Sequence, residues 1–386
     1  MAARSESKLS NLKDELGNKA QNVPILIADS FNQDSLQVLC DRAEVIISTV
    51  GPYALYGELL VKLCALSGTD YCDLTGEAQW IKRMVERYEN EARASGARIV
   101  HSCGFDSIPS DLGVKFLQEL AQEHFGAYCN HVKMRVKATK GGASGGTIAS
   151  ALNLVQEAAK EPSLRQELKD PYSICPLGHS FKARQKTVAV EYDEDFNSWV
   201  GPFLMAAINQ RIVLRTNALL SRPYNPDFTY DEGTLTGDGR KGEKRAKRLS
   251  TVSSIGMVGV SLPPIRWLAT RFFLPKPGEG PSLEQQDKGF FDLRFFGSND
   301  QGGKIIVKVT GDKDPGYGAT AKMLAQAGIS LCRDVDKGSL PGGFWTPASV
   351  FGARLFERLQ AHAGMTFEAL SVLNPQSQHD NVTDMN

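Results

Sequence analysis

Along the first hundred residues, short apolar runs alternate with stretches whose apolar side chains recur every three or four positions. Leu9, Leu12 and Leu16 share one face of a helix expected over 5–16. The run Val23-Pro-Ile-Leu-Ile-Ala-Asp29 reads as a buried strand, followed by a short helix over 34–41. Val45-Ile-Ile-Ser-Thr-Val50 predicts a second strand, then a turn at Gly51-Pro52 and a helix over 57–67. Two further strands are expected over 70–74 and 98–102, separated by a helix over 78–94. Strands and helices alternating at this interval form βαβ units, and their crossovers lay the strands side by side in a parallel sheet.

The rhythm changes near residue 131. Residues 131–139, 186–192, 289–296 and 304–310 carry longer strand patterns with partial alternation, joined by polar connections. That is the signature of a mixed or antiparallel sheet covered on one face. Two more helices, over 318–332 and 347–362, flank the loop Gly338-Ser-Leu-Pro-Gly-Gly-Phe-Trp345.

Charge and composition narrow the function. The 44 basic and 44 acidic side chains cancel, which removes the electrostatic case for a nucleic-acid partner. Seven scattered cysteines form no disulfide framework, and Cys64 and Cys72, the closest pair, lack the ligand clusters of a zinc site. Reduced thiols, a cytoplasmic location and no bound metal are the expectation. The amino terminus has no apolar leader, and the apolar stretch 251–274 is interrupted by Pro263, Pro264, Arg266 and Arg271.

A dinucleotide-binding half opens with a strand, a glycine-rich turn and a helix whose N-terminus meets the pyrophosphate. No such glycine turn precedes the first helix here. Instead, Ala3-Arg4-Ser5-Glu-Ser-Lys-Leu9 reads like the sequence just after the second strand of such a fold. The expectation is therefore an α/β protein whose Rossmann-type parallel sheet is truncated at its N-terminal side, with a second, mixed-sheet α+β domain. Arg4, with no acidic residue beside it, suits the 2′-phosphate of NADP. A solvated terminal arginine fits the same residues.

Three segments carry a resemblance: Thr49-Val-Gly-Pro-Tyr-Ala-Leu-Tyr-Gly57, Gly68-Thr-Asp-Tyr-Cys-Asp-Leu-Thr-Gly-Glu77 and Ser102-Cys-Gly-Phe-Asp-Ser-Ile-Pro-Ser-Asp111. With Ser144-Gly-Gly-Thr147, Pro275-Lys-Pro-Gly-Glu-Gly-Pro-Ser282 and Gly342-Gly-Phe-Trp-Thr-Pro-Ala348, the chain resembles the saccharopine dehydrogenase-like oxidoreductases, a group that includes trans-acting enoyl reductases. The likeness runs from Ala3 to about Leu370 and departs at the absent glycine loop. It implies a Rossmann domain over 1–127, a mixed-sheet substrate domain over 128–335, a C-terminal helix over 336–372 returning to the first domain, and a disordered tail over 373–386. It also implies an NADPH-dependent reductase of a lipid-like enoyl or carbonyl substrate, free or carrier-bound, impaired here by the missing loop. A non-catalytic, lipid- or membrane-associated scaffold that keeps the fold is the rival.

The three blocks fall at carboxyl ends of expected parallel strands, where open α/β sheets bind ligands. Arg4, Ser5, Asp29, Thr49, Gly51, Pro52, Asp73 and Thr75 are the expected cofactor contacts. Gly51 and Pro52 equally suit plain turn chemistry. Tyr53 is the candidate acid, with ordinary packing as its alternative. Asp106, an orienting residue facing the nicotinamide, could equally cap a helix. Glu77 reads as a structural acid at a helix start, His101 as a core histidine, and Cys103 as inert. The loop 141–146 offers backbone donors to an anionic substrate group, or merely connects two elements. The basic run 240–248, followed by Trp267, Phe272 and Phe273, suits either a solvated loop or an anionic membrane surface, so peripheral membrane contact through 240–274 is an expectation. Homodimer formation is another.

Overall fold

The computed structural model describes residues 1–142, 144–220, 223–272 and 279–374. Most of the expected tail, and residues 273–278 with Phe273 and part of one family block, lie outside them. Thirteen strands occur among the described residues: β1 Ala2–Ala3, β2 Leu26–Ile27, β3 Val45–Ser48, β4 Asp70–Asp73, β5 Arg98–Val100, β6 His131–Lys140 and β7 Glu191–Asp193. They continue with β8 Ser198–Pro202, β9 Thr229–Gly237, β10 Phe290–Ser298, β11 Lys304–Gly311, β12 Gly343–Trp345 and β13 Met365–Leu373.

The parallel layer is in two pieces. One sheet has the order β12-β5-β4-β3, all parallel; β1 and β2 form a separate parallel pair. Among the described residues no strand joins the two, and Ile27 (50% exposed) and Ile47 (44% exposed) are left partly open. The helix Gln33–Asp41 still buries Leu36 and Cys40 in one core with Ile46, Val61, Cys64 and Tyr71. The helices Glu58–Ser67 and Ala78–Ser95 end where Gly68 and Gly96 take left-handed φ values of 76° and 82°, a conformation that costs glycine no Cβ clash. At Gly68 a Cβ would also lie 2.8 Å from the Ser95 carbonyl oxygen.

The start of β5 is fixed by Arg98, which is buried and ion-paired with Asp70. Its guanidinium also donates to the Leu331 carbonyl at 2.8 Å and the Val335 carbonyl at 2.5 Å. A buried charge needs this full set of partners. The contact also draws in the helix Gly318–Arg333, which packs on β3 and β4, and β12 then adds to β5. The chain thus returns to the parallel layer earlier than position 336, and through a helix and a strand as well as the later helices.

The second sheet has the order β13-β11-β10-β6-β9-β8-β7, antiparallel except for the parallel pair β6–β9. On β11, Ile305, Val307 and Val309 alternate inward and meet the helix Ile108–Phe125 through Val114 and Leu117 in the main core. The expected strand over 186–192 is confined to Glu191–Asp193. The expected helix over 347–362 is two, Pro347–Phe351 and Ala353–His362, broken at Gly352 with φ 54°. β8, β9 and β13 were not evident from the pattern. β9 carries Asp231, Glu232, Gly233 and Gly237, which break the apolar alternation that marks a strand.

Candidate active site

The carboxyl ends of β3, β4 and β5 meet through a polar network. After β3 the chain turns at Gly51-Pro52, a cis peptide, into the short helix Tyr53–Tyr56. The Glu77 carboxylate accepts from the backbone N–H groups of Tyr53 (2.7 Å) and Ala54 (3.0 Å) and from Ser150 Oγ (2.7 Å). Glu77 therefore satisfies donors at the start of the helix Tyr53–Tyr56 and makes no side-chain cap on the helix Ala78–Ser95, where its structural reading places it. Burial still holds its carboxyl above the ordinary range, against those hydrogen bonds.

Tyr53, the sequence candidate for the acid, is buried (5% exposed), and its hydroxyl donates to the Ser48 carbonyl at 2.9 Å. The same oxygen accepts from Leu74 N–H at 3.3 Å, and burial pushes its pKa well above that of an ordinary phenol. The hydroxyl therefore ties the ends of β3 and β4 together instead of facing a cleft. Asp73 and Thr75 are turned inward in the same way. Asp73 Oδ1 accepts from the N–H groups of Thr75 (3.0 Å) and Ser102 (3.1 Å), and Oδ2 lies 2.7 Å from His101 Nδ1. Thr75 Oγ1 accepts from Glu77 N–H at 3.1 Å, and its carbonyl accepts from Ser102 Oγ at 2.7 Å. The Asp73 carboxylate is thus taken up in shaping the strand ends, and the Thr75 hydroxyl is buried beside it as an acceptor.

Asp106 differs. It follows β5, and its carboxyl makes no hydrogen bond or ion pair among the described residues. Desolvation alone raises its pKa to about 7. A Cβ on Gly76 would stand 4.0 Å from Asp106 Oδ2 and 3.9 Å from Met205 Cε, which places the carboxyl against the backbone of the β4 end. Beside it, Ser107 Oγ is buried without a partner.

A second acid, not anticipated from the sequence, lies nearby. Glu232 on β9 is 2% exposed and accepts from Tyr230 OH at 2.6 Å and Asn209 Nδ2 at 2.9 Å. Its pKa is also raised to about 7, chiefly by burial and further by the charge of Asp106. No cation pairs with it among the described residues. Asn209, fully buried, leaves its Oδ1 without a donor. The signal that could have found Glu232 is its inward alternation with Tyr230, visible only once β9 is recognised as a strand.

The remaining expected cofactor residues sit at the ends of β1, β2 and β3. Arg4 is exposed and follows β1; Ser5 caps the helix Glu6–Leu16 by accepting from Lys8 N–H at 3.3 Å. Asp29 follows β2 and accepts from Phe31 N–H at 2.9 Å, closing a turn. Thr49 is exposed, Gly51 half-buried and Pro52 buried. These ends suit a ribose and nicotinamide. The first helix, Glu6–Leu16, is capped by Ser5. In the loop 141–146, Gly145 N–H donates to the Glu279 carbonyl (3.2 Å), and Ser144 Oγ caps the following helix by accepting from Thr147 N–H (3.0 Å); Ala143 lies outside the described residues. Among the described residues no group of three or more His, Cys, Asp or Glu could hold a metal ion.

Parallel strands with helical crossovers gather their carboxyl ends over a set of acids, and the relatives of the chain make this the site of an α/β oxidoreductase. The chain belongs to the trans-acting enoyl reductase family. A relative from Mycobacterium tuberculosis, provisionally named a trans-acting enoyl reductase, is 37% identical over 384 residues, covering 95% of this chain and 90% of its own. The trans-acting enoyl reductases of Mycobacterium leprae and Mycobacterium ulcerans are 31% and 32% identical, each covering 93% of this chain and 88% of theirs. No family model matches the chain. Among solved structures, a meso-diaminopimelate dehydrogenase mutant from Clostridium tetani aligns over 93% of this chain and 98% of its own with TM-score 0.41 and 10% identity. An amine dehydrogenase from Mycobacterium smegmatis aligns over 89% of this chain and 86% of its own with TM-score 0.39 and 11% identity. Similarity that low has no bearing on the site.

Proposed function

We propose that the protein reduces the conjugated double bond of an enoyl, lipid-like substrate, with NADPH as reductant and Asp106 as proton donor. The names of its relatives support the enoyl substrate, and the family blocks support the wider saccharopine dehydrogenase-like group. Exposed Arg4, with no acid beside it at the end of β1, supports NADPH over NADH. A bound nicotinamide would supply the hydride.

The observation that carries the reading is Asp106: a carboxyl without a partner, desolvated to a pKa of about 7, at the strand end between Gly76 and Met205. After hydride addition at the β-carbon, the α-carbon must take a proton, and an acid whose pKa lies near the working pH delivers it well. Asp106 in its acid form holds that proton; after transfer the carboxylate is reprotonated from water. Enoyl-thioester turnover by Asp106→Asn should drop about 10²–10⁴-fold, while wild-type turnover falls as pH rises through about 7. Full activity in the asparagine variant would return the field to the non-catalytic scaffold.

We also propose peripheral contact between residues 240–274 and an anionic membrane. The helices Gly239–Ser261 and Pro263–Phe272 expose Val252 (61%), Ile255 (66%) and Phe272 (65%) beyond the basic run that starts at Arg240. No helix of the described residues is long and apolar enough to cross a membrane.

A further inference from the structure

Glu232 lies inside the protein, yet it also lines a cavity. The cavity holds about 390 Å3, and its walls include Val188, Phe203, Leu204 and Ala206. Leu204 at the mouth is 71% exposed, whereas Val188 (4%) and Glu232 (2%) lie deep. Lys169 and Lys186, both exposed, stand at the rim; Lys186 is held by Glu191 at 2.6 Å, and Lys169 forms no ion pair among the described residues. The apolar part of the wall, with polar Gln185, Gln210, Arg211 and Glu232 beside it and two lysines at the rim, matches an acyl chain that carries a carbonyl at one end and an anionic carrier at the other. The cavity adjoins the strand-end site, because Phe203 and Leu204 run directly into Met205, whose methyl lies beside Gly76 and Asp106.

We propose that this cavity binds the acyl thioester portion of the substrate, and that Glu232 engages the thioester carbonyl. The assignment rests on the reductase reading for the identity of the ligand. At the adjoining strand end, Ser107 Oγ is a buried hydroxyl without a partner beside Asp106, and such atoms are seldom left so unless something else supplies their hydrogen bond. In its acid form Glu232 donates O–H to the carbonyl oxygen; as a carboxylate it would repel that oxygen.

The groups facing Glu232 are few. Asp106 lies on the β5 turn, Ser110 on the helix Ile108–Phe125, Tyr230 on the same strand, Asn209 and Arg211 on the helix Ala206–Leu219, and Lys169 and Lys186 at the mouth. Arg211 is occupied by the carbonyls of Ala207 and Leu168, each at 2.6 Å. On the adjacent strand Met134 stands opposite Glu232, while Lys133 and Arg135 beside it bond Asp193, Asp195 and Asp231.

The test is calorimetric binding of octanoyl-CoA, a saturated acyl thioester that needs no cofactor, compared with coenzyme A alone. The whole chain should bind octanoyl-CoA more tightly than coenzyme A. Between pH 6 and pH 8 its affinity should fall about tenfold more than that of Glu232→Gln, because the amide keeps a donor and cannot ionise. Asp106→Asn should still lose affinity with rising pH more steeply than Glu232→Gln, with the fall moved to lower pH because the Asp106 charge no longer raises the Glu232 pKa. Glu232→Ala should bind at least about tenfold more weakly at pH 6, on the scale of a lost hydrogen bond to a buried group. The assignment is overturned if octanoyl-CoA does not bind, if coenzyme A binds equally well, or if Glu232→Gln follows the wild-type slope. Failure of the reductase reading would appear separately, as absent enoyl turnover with thioester binding intact.

Discussion

Among the buried acids and the half-buried Asp106, the ion pairs sort structural groups from candidates. Asp70 has Arg98, and Asp193 and Asp231 share Arg135. Asp111, Asp106 and Glu232 have no such partner, and each is held near a pKa of 7 mainly by burial. Asp111 is accounted for: it accepts from Thr216 Oγ1 at 2.6 Å and Ala348 N–H at 2.8 Å, tying the helix Ile108–Phe125 to Pro347–Phe351. That leaves Asp106 and Glu232. A carboxyl whose folded pKa is raised stabilises the fold below its unfolded pKa, and the contribution is lost as pH rises towards the folded value. For Glu232 that window runs from about 4.5 to about 7. Glu232→Gln removes the penalty, so its stability relative to wild type should rise by about 3 kcal/mol from pH 5 to pH 8. Denaturant melts at the two pH values would check this, and a pH-independent difference would mean that Glu232 stays ionised. Asp106 was legible in the sequence because it sits in a dense polar block after a strand; Glu232 was not, because a lone acid in an unrecognised strand carries no local signal.

At the level of elements, the strand ends were located correctly while their side chains were assigned the wrong outlook. The apolar runs placed β3, β4 and β5, and the blocks after them do converge. Nothing in one dimension shows that Asp73, Thr75 and Tyr53 point into the network between strands and away from the cleft. Tyr53 makes this testable. Replacing it with Phe leaves Leu74 N–H and the Ser48 carbonyl without partners, a cost of about 1–3 kcal/mol for buried groups. Tyr53→Phe should therefore melt earlier, with kcat for enoyl reduction within about threefold of wild type. A loss on the scale of general acid catalysis, about 10²-fold or more, with an unchanged melting temperature would restore Tyr53 as the acid. The long strands β10 and β11 were legible for the opposite reason: their alternation is set by a single buried face. β8 and β9, rich in glycine and polar residues, follow from their neighbours in the sheet, which a local pattern does not contain.

Across the whole molecule, a divided parallel layer and a polar network at its strand ends lie at one level of organisation, and an apolar helical surface at another. The pattern foretold a parallel sheet truncated at its N-terminal side; in the structure the β1–β2 pair stands apart from β3. It did not foretell that Gly239–Ser261 and Pro263–Phe272 would form two helices with Val252, Ile255 and Phe272 outward, since a helical period alone does not say which face is covered. That surface combines Val252, Ile255 and Phe272 with Arg240, Lys241, Lys244 and Arg248 on the preceding turns. Basic groups near an anionic bilayer contribute about 1 kcal/mol each, and apolar side chains add area burial in the interface. Two arms distinguish membrane contact from an ordinary solvated face. The protein should co-sediment with phosphatidylserine-containing vesicles and not with pure phosphatidylcholine vesicles, and raising the salt should release it, because screening shortens the reach of the basic run. The double variant Ile255→Asp, Phe272→Asp should abolish sedimentation at low salt. Both side chains are about two-thirds exposed, so the melting temperature should stay unchanged, which rules out misfolding as the cause. Equal sedimentation of variant and wild type would leave only non-specific charge attraction, and no sedimentation of the wild type would remove the membrane from the protein's surroundings.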